Sequence, residues 1–349
     1  MNAAEESPVV VVENLEKTFR DFWMRPRAKA VNGISFDIRR GEVFGLLGPN
    51  GSGKSTTIKI LLGLLHPTRG RVAVLGRSPR DVKAKARVGY LPEESNLYPY
   101  LSARETIDFY GKLFDLPATE RRRRTDQLLE MVGLQHTGRR RVGEFSKGMM
   151  RRVGLAQALI NDPDFIILDE PTAGLDPVGC RQFKDLIVTL ARRGKTVLLC
   201  THLLSDVEDV CDRIAILYGG AIQALGPIRD LLRVGDQLRM NLPPLDETKR
   251  AALLDILRRE LGVAPALENP SRSLEQYFME IVEKARAGAQ ATSGAQASDR
   301  VADYLASSTS SLPAVPPAPE VRAATPPAGF DRDQAEQRLR HLLPPDSDA

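Results

Sequence analysis

Gly48-Pro49-Asn50-Gly51-Ser52-Gly53-Lys54-Ser55-Thr56 follows the apolar run Glu42 to Leu47 and opens a segment, Lys54 to Leu65, with apolar residues at helical spacing. This strand-loop-helix order is the context a phosphate-binding loop requires. Glycines let the backbone wrap closely around an anion, at which several N–H groups and the helix N-terminus point. Lys54 is placed to neutralise β- and γ-phosphate oxygens and Ser55 to ligate Mg²⁺, so Gly48 through Thr56 are expected to hold ATP. A glycine-rich turn that merely caps a helix is the competing reading.

Working outward, Val9 to Val12, Val72 to Leu75, Phe165 to Leu168, Val197 to Cys200 and Ile214 to Leu217 are short, β-branched runs that read as strands. Helical spacing recurs in Arg104 to Phe114, Arg122 to Val132, Lys147 to Ile160, Val178 to Arg192 and Leu203 to Val210. Strand-helix alternation implies a parallel sheet. Val9 to Phe19 and Val31 to Ile38 have no helix between them, which predicts an antiparallel side-layer. The expected fold class is α/β: a P-loop NTPase core with a parallel sheet, an antiparallel β side-layer and a helical subdomain at about 95–160. Residues 8–225 are expected to form one nucleotide-binding domain and 226–286 a small accessory domain. The Ala/Pro/Ser-rich stretch 287–349 holds too little apolar bulk to offset chain entropy and is expected to be a disordered tail, with a short helix possible over Asp331 to Leu343.

The chain has 349 residues and a net charge of +4, well short of the concentrated basic face of a dedicated nucleic-acid binder. Its three cysteines, Cys180, Cys200 and Cys211, form no CxxC pair and read as reduced thiols. No run reaches the ~18 apolar residues of a membrane span, and the amino terminus is acidic before its apolar run. A chain that is neither secreted nor itself transmembrane is expected.

The run Phe165-Ile-Ile-Leu-Asp169-Glu170 is an apolar strand ending in two acids, which aims Asp169 at the metal and Glu170 at an attacking water. Between the phosphate loop and these acids stands Phe145-Ser146-Lys147-Gly148-Met149, ahead of a helical segment whose N-cap Ser146 could also be. Taken in order, the phosphate loop, Gly89-Tyr90-Leu91-Pro92-Glu93, the Ser146 motif, Asp169-Glu170, Ala173-Gly174-Leu175-Asp176 and Thr201-His202 resemble the ATP-binding cassette (ABC) nucleotide-binding domain. The Ser146 stretch is similar to that family's LSGGQ signature in variant form: Ser146 and Gly148 match, while Phe145, Lys147 and Met149 depart.

The resemblance implies an ATPase in which Glu170 is the general base, His202 senses the γ-phosphate and Asp169, Ser55 and Glu93 hold Mg²⁺. It implies that Phe19 stacks on adenine, against a plain reading as a core residue. Asp176 would make a dimer contact while also suiting a helix N-cap before Pro177. Because family members hold ATP between one P-loop and the partner's signature, a second copy or a homologous ATPase subunit is implied. So is a separate transmembrane permease, with this chain peripheral at the cytoplasmic face of the membrane. Gly45-Leu-Leu-Gly-Pro-Asn, Thr172-Ala-Gly-Leu-Asp-Pro and Ser273-Leu-Glu-Gln-Tyr-Phe278 further resemble the bacterial drug, lipid and polysaccharide exporter branch.

A soluble ATPase with a repair or translation partner is the alternative. Against it, Lys54 and Ser146 are not separated by sustained coiled-coil heptads, and only one set of motifs is present. The arginine runs Arg121 to Arg124, Arg139 to Arg141 and Arg151-Arg152 read as solvated faces or as a surface toward anionic lipid or the permease, not as a nucleic-acid site.

Overall fold

The computed structural model describes residues 8–23, 25–233, 246–262 and 302–306, all within the compact unit Met1–Ser310. Two sheets organise it. Strands β1 (Val10–Arg20), β2 (Pro26–Ile38) and β4 (Arg69–Val74) form an antiparallel layer in the order β2-β1-β4. The second sheet runs β5-β6-β7-β3-β8-β9, from β3 (Val43–Leu47), β5 (Val88–Leu91), β6 (Phe165–Asp169), β7 (Thr196–Thr201), β8 (Arg213–Tyr218) and β9 (Ala221–Pro227). Its pairings are parallel except for the antiparallel edge β8–β9. Both sheets agree with the sequence expectation.

The interior strands are apolar along their whole length because both faces are covered. Every residue of β3, β6 and β7 is buried, and alternation sends neighbours to opposite cores. Phe165, Ile167, Phe44, Leu46 and Leu198 pack beneath the antiparallel layer with Val10, Leu15, Ile34 and Ile38. Ile166, Leu168, Val43, Val197 and Leu199 face the helical side with Ile107, Leu128, Leu155 and Ile187.

Helices α1 (Lys54–Leu61), α2 (Val82–Lys85), α3 (Ala103–Leu113), α4 (Ala118–Met131), α5 (Lys147–Leu159), α6 (Pro177–Arg192) and α7 (Leu204–Val210) lie between or after these strands. The start of α3 is fixed by a capping box, in which Ser102 accepts from the Glu105 N–H while Glu105 accepts from the Ser102 N–H. Beyond β9 come α8 (Ile228–Leu231) and α9 (Glu247–Leu261). The motif at Ser273 to Phe278 and the helix expected over Asp331 to Leu343 lie outside the described residues. Among the described residues no helix is long and apolar enough to cross a membrane.

The structure differs from the sequence reading in two places. Ala302, Tyr304 and Leu305, from the stretch expected to stay unordered, are buried in the helical-side core, the last two on a 3-10 turn spanning Asp303–Ala306. The Tyr304 hydroxyl donates to the Leu159 carbonyl at 3.0 Å, and the Arg124 guanidinium lies 4.5 Å from the ring centroid. A short segment with little apolar bulk orders here because the cassette supplies the rest of the pocket. The arginine runs are also not uniformly solvated. Arg121 bonds Asp108, Arg124 bonds Glu120 and the Ile160 carbonyl, and Arg151 is buried.

Candidate functional site

Sheet register brings the chemistry together. Leu47 at the end of β3 lies beside Thr201 at the end of β7, and Asp169 at the end of β6 lies beside Cys200. The loops leaving three adjacent parallel strands, with Gly48 to Gly53, Glu170 and Thr201-His202, therefore emerge at one carboxyl edge. That edge is the ligand-binding edge of open α/β sheets.

The phosphate loop has the properties of an anion cradle. Gly53, the N-cap of α1, holds φ +106°, and a Cβ there would stand 2.6 Å from the Ala30 carbonyl. No side chain caps α1, so none covers its first-turn N–H groups. The Ser52 hydroxyl is buried without a hydrogen-bond partner, an orphan donor that a phosphate oxygen would satisfy. The Lys54 ammonium donates to the carbonyls of Gly48 at 2.5 Å and Pro49 at 3.3 Å. Ala30 and residues 49–56 line one cleft, which includes Asn50, Gly51, Ser55 and Thr56.

Asp169 ends the nearby strand β6 and Glu170 follows it. Asp169 is buried, and its pKa is pushed up to about 6, first by burial and then by the charges of Glu93 and Glu170, against the pull of Lys54 and Arg151. The charges of Glu93 and Glu170 bear on Asp169 and Ser55 is exposed, but among the described residues no three acidic, imidazole or thiol side chains are grouped closely enough to hold a metal ion by themselves. Tyr90, also close to Asp169, is raised to about 12, chiefly by burial.

Glu170 is the most constrained residue of the site. It is buried, and its backbone is left-handed at φ +46°. Its N–H donates to the Cys200 carbonyl at 2.8 Å. Its carboxylate accepts from the Thr201 hydroxyl at 3.1 Å and stands 2.9 Å from His202 Nδ1. The imidazole is half exposed, leaving its other edge available to a ligand.

Other expected residues lie further out. Phe19 sits half exposed on β1, paired with Ala28, two residues from the cleft-lining Ala30, with the Lys17 ammonium 5.3 Å from its ring centroid. Ser146 caps α5 by accepting from the Met149 N–H at 3.2 Å, and Asp176 caps α6 by accepting from the Gly179 N–H at 2.9 Å. Gly148 packs near Leu175. Among the described residues no hydrogen bond joins Ser146 or Gly148 to the phosphate loop.

Sequence reasoning missed Thr201 and Arg151. Thr201 left no signal beyond preceding His202. Arg151 did: on α5 it falls on the buried stripe with Leu155 and Leu159, where an arginine is out of place.

Comparison with known proteins adds family and fold. Residues 31–173 match the family described as ABC transporter. The chain is 45% identical over 238 residues to an uncharacterised ABC transporter ATP-binding protein of Synechocystis sp., covering 66% of this chain and 67% of the relative. It is 42% identical to Nod factor export ATP-binding protein I of Burkholderia lata, over 61% of this chain and 69% of that one. With the linearmycin resistance ATP-binding protein LnrL of Bacillus subtilis it shares 39% over 63% and 69%. Among solved structures, a dimeric ATP-binding cassette in a post-hydrolysis state bound to ADP and Pi aligns with TM-score 0.58 and 28% identity, over 63% of this chain and 99% of the cassette.

Proposed function

We propose, from the premise that this chain belongs to the ABC transporter ATP-binding proteins, that its ATPase activity drives a separate transmembrane permease of exporter type. The export and resistance names of its relatives support that direction. Peripheral attachment at the cytoplasmic face of the membrane, through the permease, follows from the same reading.

The observation that carries the catalytic assignment is the Glu170 carboxylate, bonded by Thr201 and adjacent to His202 at the strand edge that also bears the phosphate loop. Glu170 accepts a proton from water as the water oxygen bonds to the γ-phosphorus; the bond to the β–γ bridging oxygen breaks, and ADP and phosphate result. Lys54 exchanges its contacts with Gly48 and Pro49 for phosphate oxygens. The Ser52 hydroxyl and the α1 N-terminus complete the cradle. His202, beside Glu170 through Nδ1, turns its other edge to the γ-phosphate, and Phe19 offers its face to adenine. Ser55, Asp169 and Glu93 would hold Mg²⁺, which supplies charge neutralisation of the β- and γ-oxygens.

The dimeric assembly of similar solved cassettes supports a composite site, in which Ser146 and Gly148 face the ATP of a second copy or homologous subunit and Asp176 joins the contact. Glu170→Gln tests the reading. The variant should bind ATP with near-native affinity, hydrolyse it about 10²–10³-fold more slowly and accumulate as an ATP-bound dimer. Near-native turnover would remove Glu170 from the role of base.

A further inference from the structure

Arg151 stands in the second turn of α5, five residues beyond Ser146, and is only 5% exposed. A buried guanidinium ordinarily meets a carboxylate. This one spends its hydrogen bonds on backbone carbonyls and a single hydroxyl. Nε donates to the Pro171 carbonyl at 3.1 Å, and Nη2 donates to the Glu170 carbonyl at 2.7 Å and to that of Asp169. Nη1 donates to the Glu93 carbonyl at 2.9 Å, to that of Pro92 and to the Ser95 hydroxyl at 3.4 Å. One planar group thus grips three successive carbonyls across the end of β6 and two beyond the end of the neighbouring strand β5.

The middle carbonyl of the first set belongs to Glu170, whose φ of +46° is unfavourable for a residue with a side chain. Such a conformation persists only where its surroundings over-determine it. Three N–H···O bonds to residues 169 to 171 supply that constraint from one side, and the Glu170 N–H bond to Cys200 supplies it from the other.

We propose that Arg151 is a positioning residue for hydrolysis: its guanidinium holds the backbone that aims the Glu170 carboxylate, and ties it to the Glu93 loop and the Ser146 helix as one unit. This rests on Glu170 being the general base. Arginine suits the task because its five donors lie in a fixed plane; a lysine ammonium carries the charge but offers three donors from one point. With three donors, a lysine cannot serve all five of these carbonyls at once.

The test is a double-mutant cycle between Arg151→Lys and Glu170→Gln, with Arg151→Met as a second variant and melting temperatures ensuring that rates are measured on folded protein. Binding of a fluorescent ATP analogue to Arg151→Lys should stay within about threefold of wild type, while kcat falls about 10- to 100-fold, as expected when a reacting group is displaced by about an ångström. In the Glu170→Gln background the same substitution should change the residual rate less than about threefold, because both variants remove one function. An unchanged kcat in Arg151→Lys, or a loss that multiplies in full onto Glu170→Gln, would overturn the proposal and leave Arg151 a structural residue. Near-native turnover in Glu170→Gln alone would overturn the base assignment and this inference together.

Discussion

Tyr304→Ala probes the segment that docks from far along the chain. In the structure the ring is 7% exposed and Leu305 wholly buried, the Tyr304 hydroxyl donates to Leu159, Arg124 lies over the ring, and Arg193 donates to the Ala302 carbonyl at 3.1 Å. Burying the two side chains, making these two hydrogen bonds and stacking Arg124, with Arg123 further out at 6.0 Å, over the ring stabilises docking by roughly 5–10 kcal/mol in total. Ordering residues 302–306 costs about 5–10 kcal/mol at ~1–2 kcal/mol per residue. The two ranges offset each other, so docking is a near-balanced equilibrium; a segment docked about ten to one over its released form needs a net gain of only about 1.4 kcal/mol. Removing a core aromatic costs about 3–5 kcal/mol where the chain has no alternative, but this segment can leave its groove, so the observed loss is capped at the docking energy. Thermal melts should show Tyr304→Ala lowering Tm by about 2–8 °C. Truncation before Ala302 should give the same shift, and neither change should impair ATP hydrolysis. A cassette that fails to fold without the segment would refute the cap, and an unchanged Tm would show that the segment contributes nothing.

Lys54→Ala should weaken nucleotide binding about 10- to 100-fold through loss of charge-assisted hydrogen bonds, measured by titration with a fluorescent ATP analogue. Thr201→Val keeps the side-chain shape but removes the hydroxyl that donates to Glu170 and accepts from the Leu203 N–H at 3.0 Å. Steady-state kinetics should show kcat reduced about 5- to 30-fold with ATP affinity unchanged. Glu93→Gln retains an oxygen acceptor and should keep most hydrolysis, whereas Glu93→Ala should lower transport per ATP in membranes containing the permease; equal coupling in both variants would contradict the role given to that loop.

The two sheets were legible because burial on both faces leaves an unmistakable record: runs such as Phe165-Ile-Ile-Leu and Val197 to Cys200 can satisfy their side chains only inside a covered sheet. Strand β5 was visible only as part of the Gly89 to Glu93 motif, since four residues of mixed burial carry little periodicity. The phosphate loop could be read in full because its chemistry is local. Glu170 could be identified as an acid after Asp169, yet its left-handed backbone depends on partners from α5 and β7 that no local pattern displays. Arg151 was masked by its neighbour Arg152, since two adjacent arginines read as surface until the register of α5 is known. Tyr304 escaped because its pocket belongs to residues more than a hundred positions earlier.

The central claim, a shared ATPase site built from two chains, is tested most directly by mixing two variants that are each inactive. Lys54→Ala lacks a working phosphate loop, and Ser146→Arg blocks the signature. In a mixed dimer one site carries both defects and the other carries neither. Random pairing places mixed dimers at about half of the population, with one intact site each, so hydrolysis should recover to about a quarter of wild type. Two silent variants whose mixture stays silent, despite confirmed exchange of subunits, would contradict the account.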